Sequence, residues 1–370
     1  MKVPFYDIKA QFDELSDELT RATLEVLSSG KYVMGANHNA FETEMAQRHR
    51  CEFGIAVNSG TDALRIMMQA AGIGPGDEVI TTAFTFVASV ETIVQVGATP
   101  VFVDIDPHTF NLDPAQLEAA VTERTKAILP IHLFGQLADV TAIGAFAERH
   151  GLIVLEDSAQ ALDCTYQGTP TGNFGLGAGF SFYVTKNLGA AGDAGLIVTN
   201  DAHLAERCRS IRVHGMGRER YYYDDIGYTA RLHEIQAAVL RVKLTRLDQW
   251  NRQRGEYARI YASELAGTPY QLPVTSPGNN HTWHQYSILS DRRDELQAFL
   301  KSHEIDSMIY YPVPIHFHRP YERFGHGPGS LPVTERVSRQ ILNLPIHPHL
   351  SGDQIRHVAA ALREFASVTA

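Results

Sequence analysis

The sequence predicts an α/β fold in which a mainly parallel, mixed sheet lies between helices. Over the first 265 of the 370 residues, short apolar segments alternate with helical patterns, which is typical of βαβ units. Beyond residue 266, Pro, Gly, Asn and His become common. We therefore expect an N-terminal segment and a large domain over residues 1–265. A smaller C-terminal α/β domain is expected over residues 266–370.

The first elements follow from the spacing of apolar residues. Apolar residues recur at helical intervals up to Gly30, which predicts a helix over residues 8–29. A second helix is expected over residues 38–49. The segment IAVNSGTDALRIMMQAAGI then predicts a strand, a turn that contains SGT, and a helix.

Strands and helices alternate through the middle of the chain. We expect strands at residues 78–82, 99–103, 127–130, 153–157, 179–182 and 195–199. We expect helices at residues 86–97, 113–121 and 138–150, and one long helical pattern over residues 232–265. In the C-terminal part we expect a strand at residues 284–289 and helices at residues 291–303 and 352–367.

The composition argues against several classes of protein. The chain has 32 basic and 42 acidic residues, a net charge of −10, which argues against a nucleic-acid partner. No apolar segment is long enough to span a membrane, and the N-terminus lacks a signal-peptide pattern, so we expect a cytoplasmic protein. The pairs His316/His318 and His347/His349 lie among Pro residues without nearby acidic ligands, and the 3 Cys lack metal-binding spacing. No metal site is therefore predicted.

Two polar segments follow predicted strands and could bind a charged ligand. The segment Asn58-Ser59-Gly60-Thr61 lies between a strand and a helix, where backbone N–H groups form an anion site. The same residues could serve only as a helix cap. Asp157 ends an apolar strand, and ligands of open α/β sheets bind beyond the carboxyl ends of strands. Asp157 could therefore contact a ligand cation, or it could cap the next segment.

Lys186 and Phe86 supply a nucleophile and a planar surface. Only 7 of the 32 basic residues are Lys, and Lys186 follows an apolar strand and precedes a glycine-rich loop. A Lys in a partly desolvated pocket has a lowered pKa and becomes nucleophilic, as Schiff-base chemistry requires. Lys186 could also be a strand-end residue that extends to solvent. Phe86 could stack on a planar ring or pack in the core.

The four features together match the requirements of pyridoxal 5′-phosphate. This cofactor needs a phosphate site, a carboxylate at the pyridine nitrogen, a lysine for the aldehyde and a surface for the ring. In this chain the features occur at successive strand ends of one predicted domain. A nicotinamide site is not supported, because the glycine-rich segment GLGAG is not GxGxxG and precedes a strand. The sequence therefore predicts a pyridoxal phosphate enzyme.

Longer motifs extend this pattern over nearly the whole chain. They include PFYDIKAQ, VNSGTDAL, TAFTFVAS, LEDSAQAL, SFYVTKNLGAAGDAG, GYTARLHEIQAAVLRVKL and YYPVPIHFHRPY. With these motifs the sequence resembles the DegT/DnrJ/EryC1/StrS family of nucleotide-sugar aminotransferases, which use pyridoxal phosphate and have fold type I. The resemblance implies a homodimer with the active site at the subunit interface.

The resemblance also implies roles for individual residues. Lys186 and Asp157 correspond to the catalytic residues, Lys186 as the Schiff-base lysine and Asp157 as the partner of the pyridinium. The remaining implied contacts to the cofactor are made by Gly60, Thr61, Phe86, Gln160 and Ser181, with Gln160 on the side of the ring hydroxyl. Many members have Asn where this chain has Thr229, and that Asn reaches the phosphate of the neighbouring subunit. Thr229 is shorter, so it is a candidate contact only.

Substrate contacts are expected in polar, aromatic segments that match family regions near the substrate. The candidates are Tyr32, His214, Tyr221, Tyr311 and His316. Tyr and His can hold sugar hydroxyls, but the same segments could form a polar interface or a solvated loop.

The resemblance implies transfer of an amino group from L-glutamate to a ketosugar linked to a nucleotide. Lys186 is retained, whereas dehydratase relatives carry His at this position, so transamination is favoured over deoxygenation. The loop GAAGDAG resembles that of enzymes that aminate a 3-keto sugar, which favours a dTDP-3-keto-6-deoxyhexose. A 4-keto-sugar or aminocyclitol enzyme is the alternative, and a non-catalytic regulator that binds pyridoxal phosphate is a more distant one.

Overall fold

The structure of the protein, a computed structural model, describes residues 1–368. The helices are α1 (Ile8–Glu14), α2 (Ser16–Ser29), α3 (Ala36–Arg48), α4 (Gly60–Ala70), α5 (Ala88–Gln95), α6 (Leu117–Ala120), α7 (Val140–His150), α8 (Ala202–Ile211), α9 (Glu234–Leu244), α10 (Leu247–Glu264), α11 (Arg293–Ser302), α12 (Pro332–Gln340) and α13 (Gly352–Val368). The strands are β1 (Phe53–Val57), β2 (Glu78–Thr82), β3 (Thr99–Val103), β4 (Thr125–Ile128), β5 (Ile153–Asp157), β6 (Thr165–Tyr166), β7 (Thr169–Pro170), β8 (Gly177–Ser181), β9 (Gly195–Thr199), β10 (Asn279–Asn280), β11 (Tyr286–Leu289) and β12 (Ile341–Leu344).

A seven-stranded mixed sheet is the centre of the molecule. Its strand order is β1-β9-β8-β5-β4-β2-β3. The pairs between β8, β5, β4, β2 and β3 are parallel, and β9 runs antiparallel to both of its neighbours, β1 and β8. This arrangement confirms the predicted mainly parallel sheet. Because β1, β2, β4, β5 and β8 run in one direction, their carboxyl ends meet at one edge of the sheet.

Helices cover both faces of this sheet and bury an apolar core on each. One core joins α4 and α8 to the sheet, and another joins α3 and α9 to its opposite face. A separate core belongs to the C-terminal part, where α10, α11 and α13 pack around the antiparallel pair β11–β12. Val3 from the N-terminus lies in this C-terminal core and forms a bridge with Ile305.

Two long helical patterns are interrupted in the structure. The helix predicted over residues 8–29 is wrong as one element, because it breaks at Leu15, whose side chain is buried against Val239 and Trp250. The pattern over residues 232–265 divides at Thr245 and Arg246 into α9 and α10. The division has a packing reason, since α9 lies against α2 and α3 whereas α10 lies against α13.

The strands at residues 78–82, 99–103, 153–157 and 195–199 have the predicted bounds. Helices α8 and α12 and strand β12 were not predicted. The proposed domain boundary between residues 265 and 266 stays a prediction; Tyr257 and Tyr261 of α10 already belong to the C-terminal core. Within residues 1–368, no helix is both long and apolar enough to cross a membrane.

Candidate active site

A cavity of about 500 Å³ opens where the carboxyl ends of the parallel strands meet. Its wall combines the N-terminus of α4, the segments that follow β2, β5 and β8, and residues from the C-terminal part. The predicted site residues that line it are Gly60, Thr61, Phe86, Asp157, Gln160, Ser181, Lys186 and Tyr311. Residues distant in the sequence therefore share one enclosed volume.

The N-terminus of α4 lies at one end of the cavity. Ser59 caps the helix, because its hydroxyl oxygen accepts a hydrogen bond from the Asp62 N–H at 3.0 Å. The N–H groups of Gly60 and Thr61 begin the helix and have no acceptor within it. A Cβ on Gly60 would lie 2.6 Å from the Cβ of Ser181, so only glycine lets the Ser181 hydroxyl approach the helix end. These groups can hold a phosphate.

Asp157 lies at the end of β5 with both carboxylate oxygens held by donors. The Ser89 hydroxyl donates to Oδ2 at 2.7 Å, and the Ala159 N–H donates to Oδ1 at 3.1 Å. Burial raises the pKa of the Asp157 carboxyl, and the opposing contributions come from these two donors and from the positive charge of Lys186. The Thr85 hydroxyl lies 2.9 Å from that of Ser89 and extends the network.

Lys186 lies in a tight turn after β8. The turn is closed by a hydrogen bond of 2.8 Å from the Lys186 N–H to the carbonyl of Tyr183. Loss of water around the ammonium lowers the pKa of Lys186 to about 8, and the nearby charge of Asp157 opposes the change. At pH 7 about a tenth of a lysine with this pKa is free amine, the nucleophilic form, far more than for an ordinary lysine.

Phe86 and Gln160 complete the wall around these two groups. The Phe86 side chain is 57% exposed, so it presents a bare aromatic face to the cavity. Gln160 uses both ends of its amide, because Oε1 accepts from the Phe134 N–H at 2.8 Å and Nε2 donates to the Tyr311 hydroxyl at 3.0 Å. The wall thus offers a stacking surface and a fixed tyrosine beside Asp157 and Lys186.

The remaining candidates lie outside this cavity. Tyr32 and Tyr221 are exposed, and the Tyr32 hydroxyl donates to the carbonyl of Leu27. The Thr229 hydroxyl and the His214 ring form a pair at 3.0 Å. His316 is buried, with Nε2 located 3.4 Å from a carboxylate oxygen of Glu335.

Several lining residues were not singled out from the sequence. They are Tyr6, Thr85, Ser89, Tyr183, Asp193, His284, Gln285 and Tyr310. All of them except His284 and Gln285 lie within the motifs that carry the family resemblance, which is a signal that could have marked them. For His284 and Gln285 no local signal exists, because they reach the cavity only through the packing of the C-terminal part. Among residues 1–368, no group of three or more acidic, His or Cys residues could hold a metal ion.

Comparison with known proteins places this geometry in a family. The model of the DegT/DnrJ/EryC1/StrS aminotransferase family matches residues 13–363. A pleiotropic regulatory protein of Geobacillus stearothermophilus is 48% identical over 368 residues, which are 99% of each chain. A dTDP-3-amino-3,4,6-trideoxy-alpha-D-glucose transaminase of Streptomyces venezuelae is 45% identical, over 99% of this chain and 96% of its own.

A solved structure shows the same architecture. The crystal structure of NtdA from Bacillus subtilis, with bound cofactor PMP, matches with a TM-score of 0.92 at 30% identity. The match covers 99% of this chain and 85% of that chain. The family model and the relatives thus extend over nearly the whole sequence, and the chain belongs to the DegT/DnrJ/EryC1/StrS aminotransferase family.

Proposed function

We propose that the protein is a pyridoxal-phosphate-dependent aminotransferase that moves the amino group of L-glutamate to a ketosugar linked to a nucleoside diphosphate. One observation carries the proposal: a single cavity contains a lysine with a lowered pKa, a buried carboxylate and an anion-binding helix end.

The residues of the cavity fit pyridoxal phosphate. Gly60 lets the Ser181 hydroxyl lie close to the N–H groups at the start of α4, and these groups together fit a phosphate group. The exposed ring of Phe86 offers a surface for the cofactor ring, and Asp157 offers a carboxylate to the ring nitrogen. When bound, the cofactor supplies an electron-withdrawing ring that stabilises negative charge on the carbon next to the reacting nitrogen.

Lys186 and Asp157 have different chemical roles: Lys186 transfers a proton, and Asp157 stabilises a positive charge. The Nζ atom of Lys186 has a pKa of about 8, so it can accept a proton from a substrate carbon and return it near neutral pH. The Asp157 carboxylate favours a positively charged partner in the cavity, because opposite charges stabilise each other where water is scarce. Ser89 and Ala159 fix the direction in which that carboxylate points.

A sugar substrate is supported by the hydroxyl-rich side of the cavity. Tyr6, Tyr183, Tyr310 and Tyr311 line it together, and tyrosines combine an apolar face with a hydrogen-bonding hydroxyl. The Streptomyces venezuelae relative is named for a dTDP sugar with an amino group at C3. We therefore favour a dTDP-3-keto-6-deoxyhexose; a 4-keto sugar or an aminocyclitol precursor is the alternative.

A regulatory function is a second candidate, since the Geobacillus relative is named as a regulatory protein. Relatives named as transaminases or aminotransferases favour catalysis. Both candidates would bind the cofactor through Lys186, so the response of the cofactor band to L-glutamate separates them. We also infer a cytoplasmic location, in keeping with the three cysteines, which are all free thiols.

A second copy of the chain is proposed to complete the site. Thr229 and His214 lie outside the cavity, and apolar side chains near them and on the N-terminal helices are exposed, including those of Ile226, Phe12 and Leu24. A homodimer that buries these side chains could bring Thr229 to the partner's cavity. Sedimentation equilibrium measures the mass, and a monomer at micromolar concentration would contradict the dimer.

The function is tested by absorption spectroscopy of the protein saturated with pyridoxal phosphate. L-Glutamate should convert the near-visible band to that of the amine form, and a dTDP-3-keto-6-deoxyhexose should restore the first band. A band that ignores L-glutamate would contradict this donor and favour the regulatory function. Restoration by a 4-keto sugar alone would replace the preferred sugar with the alternative.

A further inference from the structure

His284 lines the cavity together with Lys186, but the function proposed above assigns it no role. The ring is buried, and its Nδ1 lies 3.1 Å from Oδ1 of Asn187. Asn187 directly follows Lys186 in the chain. The imidazole is therefore tied to the turn that carries the reactive lysine.

The hydrogen bonds of Asn187 determine which ring nitrogen of His284 carries the hydrogen. Nδ2 of Asn187 donates to the carbonyl of Thr282 at 2.9 Å and to Oδ1 of Asn251 at 2.9 Å. A backbone carbonyl can only accept, so the Asn187 amide has one orientation and its Oδ1 is the acceptor toward His284. Nδ1 of His284 must then be the donor, and a neutral ring has its lone pair on Nε2.

The electrostatic surroundings keep this imidazole neutral. Burial lowers the pKa of His284 well below its ordinary value, and the positive charges of Lys186 and Arg254 lower it further. The group bonded to Nδ1 is an uncharged amide rather than a carboxylate, so no anion in contact with the ring offsets these effects. Nε2 therefore remains a hydrogen-bond acceptor over the physiological pH range.

Nε2 of His284 is the part of the ring that is left for a ligand. Among residues 1–368 it has no hydrogen-bond partner. It is also absent from the buried polar atoms that lack a partner, so it retains some access to solvent. In the same cavity both oxygens of Asp157 already accept hydrogen bonds from Ser89 and Ala159. The cavity thus contains an uncharged acceptor beside Lys186 that no protein group uses.

We propose that Nε2 of His284 accepts a hydrogen bond from an N–H or O–H group of the bound substrate. The inference rests on the proposed function, which supplies two sources of such a group. One source is the amine of the amino donor, and the other is a hydroxyl of the sugar. Both sources offer the same chemistry, and separate half-reactions distinguish them.

Two substitutions separate this role from a structural one. In His284→Gln, the amide end reaches the position of Nε2, so an acceptor in the cavity is kept while the bond to Asn187 is lost. In His284→Asn, the shorter amide can still donate to Asn187, but the acceptor in the cavity is lost. The concentration dependence of the spectral change is measured for each variant with L-glutamate and with the dTDP-ketosugar, in separate half-reactions.

We expect His284→Asn to raise the half-saturating concentration of one substrate about tenfold, and His284→Gln to stay within about threefold of the natural protein. A loss with L-glutamate alone assigns the contact to the amine, and a loss with the sugar alone assigns it to a hydroxyl. The opposite ranking of the two variants would overturn the proposal, because it would mean that the ring serves Asn187 only. Equal affinities in all three proteins would overturn it as well.

A spectroscopic measurement keeps the proposal testable if a variant does not fold. Nitrogen-15 NMR of the natural holoenzyme, labelled at His, should show His284 as a neutral ring with hydrogen on Nδ1. The Nε2 resonance should shift when the substrate is added, and an unshifted Nε2 or hydrogen on Nε2 would overturn the inference. If the natural holoenzyme has no cofactor band, or its band ignores both substrates, the proposed function fails and not the assignment of the ring nitrogens.

Discussion

Two lysines from different regions of the molecule lie at the segment that follows β8. Lys186 lies within the turn and faces the cavity, whereas Lys243 extends from α9 and donates a hydrogen bond of 2.8 Å to the carbonyl of Gly189. Burial lowers the pKa of each lysine to about 8. The same physical effect therefore acts on a residue in the proposed site and on one outside it.

The two lysines have similar pKa values, and they differ in whether a ligand can reach the amine. Lys243 is only 5% exposed and its amine is bonded to a backbone carbonyl, so no ligand can reach it. Lys186 shares a cavity with Asp157 and with the N-terminus of α4. A lowered pKa thus identifies a buried lysine, and only the surrounding groups identify a reactive one. In this fold Lys243 anchors the loop at Gly189, which follows the turn of Lys186.

The largest effect is expected when Lys186 and Lys243 are replaced one at a time. Lys186→Ala should reduce the rate of amino transfer by at least about 10³-fold and abolish the near-visible cofactor band, because the proposed nucleophile and proton carrier is lost. Lys243→Met is the matched control and should keep the band and reduce the rate by less than about tenfold. The rate is measured with L-glutamate in both variants. An active Lys186→Ala protein would refute the assignment.

A smaller effect is expected from the groups that distinguish the cavity from the site of Lys243. Asp157→Asn should weaken cofactor binding about 100-fold, since it removes the charge that we propose faces the ring nitrogen. Ser89→Ala should weaken it about tenfold, because Oδ2 of Asp157 loses the donor at 2.7 Å. Titration of the apoprotein with pyridoxal phosphate measures both. A larger effect from Ser89→Ala than from Asp157→Asn would contradict the proposed role of the carboxylate.

The smallest expected effect is the contribution of Lys243 to the pH dependence of the free energy of unfolding. Its pKa is about 8 in the folded protein, against an ordinary lysine value of 10.5, so between these values the unfolded chain binds more protons. The free energy of unfolding should therefore rise with pH, by about 1.4 kcal/mol from pH 7 to pH 9. Urea unfolding at both pH values measures this rise as the difference between the natural protein and Lys243→Met. A difference that does not change with pH would mean that water reaches the amine.

The central sheet and the first part of the site could be predicted from local patterns. Gly60, Asp157 and Lys186 each lie at the end of an apolar strand or within a few residues of it. Because parallel strands end at a common edge, three local motifs were enough to place them near one another. The break at Leu15 could not be predicted in this way, since it depends on burial against Val239 and Trp250, which are distant in the sequence.

The sequence by itself determined the sheet, the family and the positions of Lys186 and Asp157, because periodicity and short motifs depend on neighbours along the chain. Only the tertiary structure decided that Tyr6 of the N-terminal segment and His284 of the C-terminal part both line the cavity. It also decided that Lys243 faces a carbonyl and Lys186 a cavity, although both amines are buried. The physical reason is that burial, hydrogen-bond direction and access depend on packing between distant segments, which no local pattern encodes.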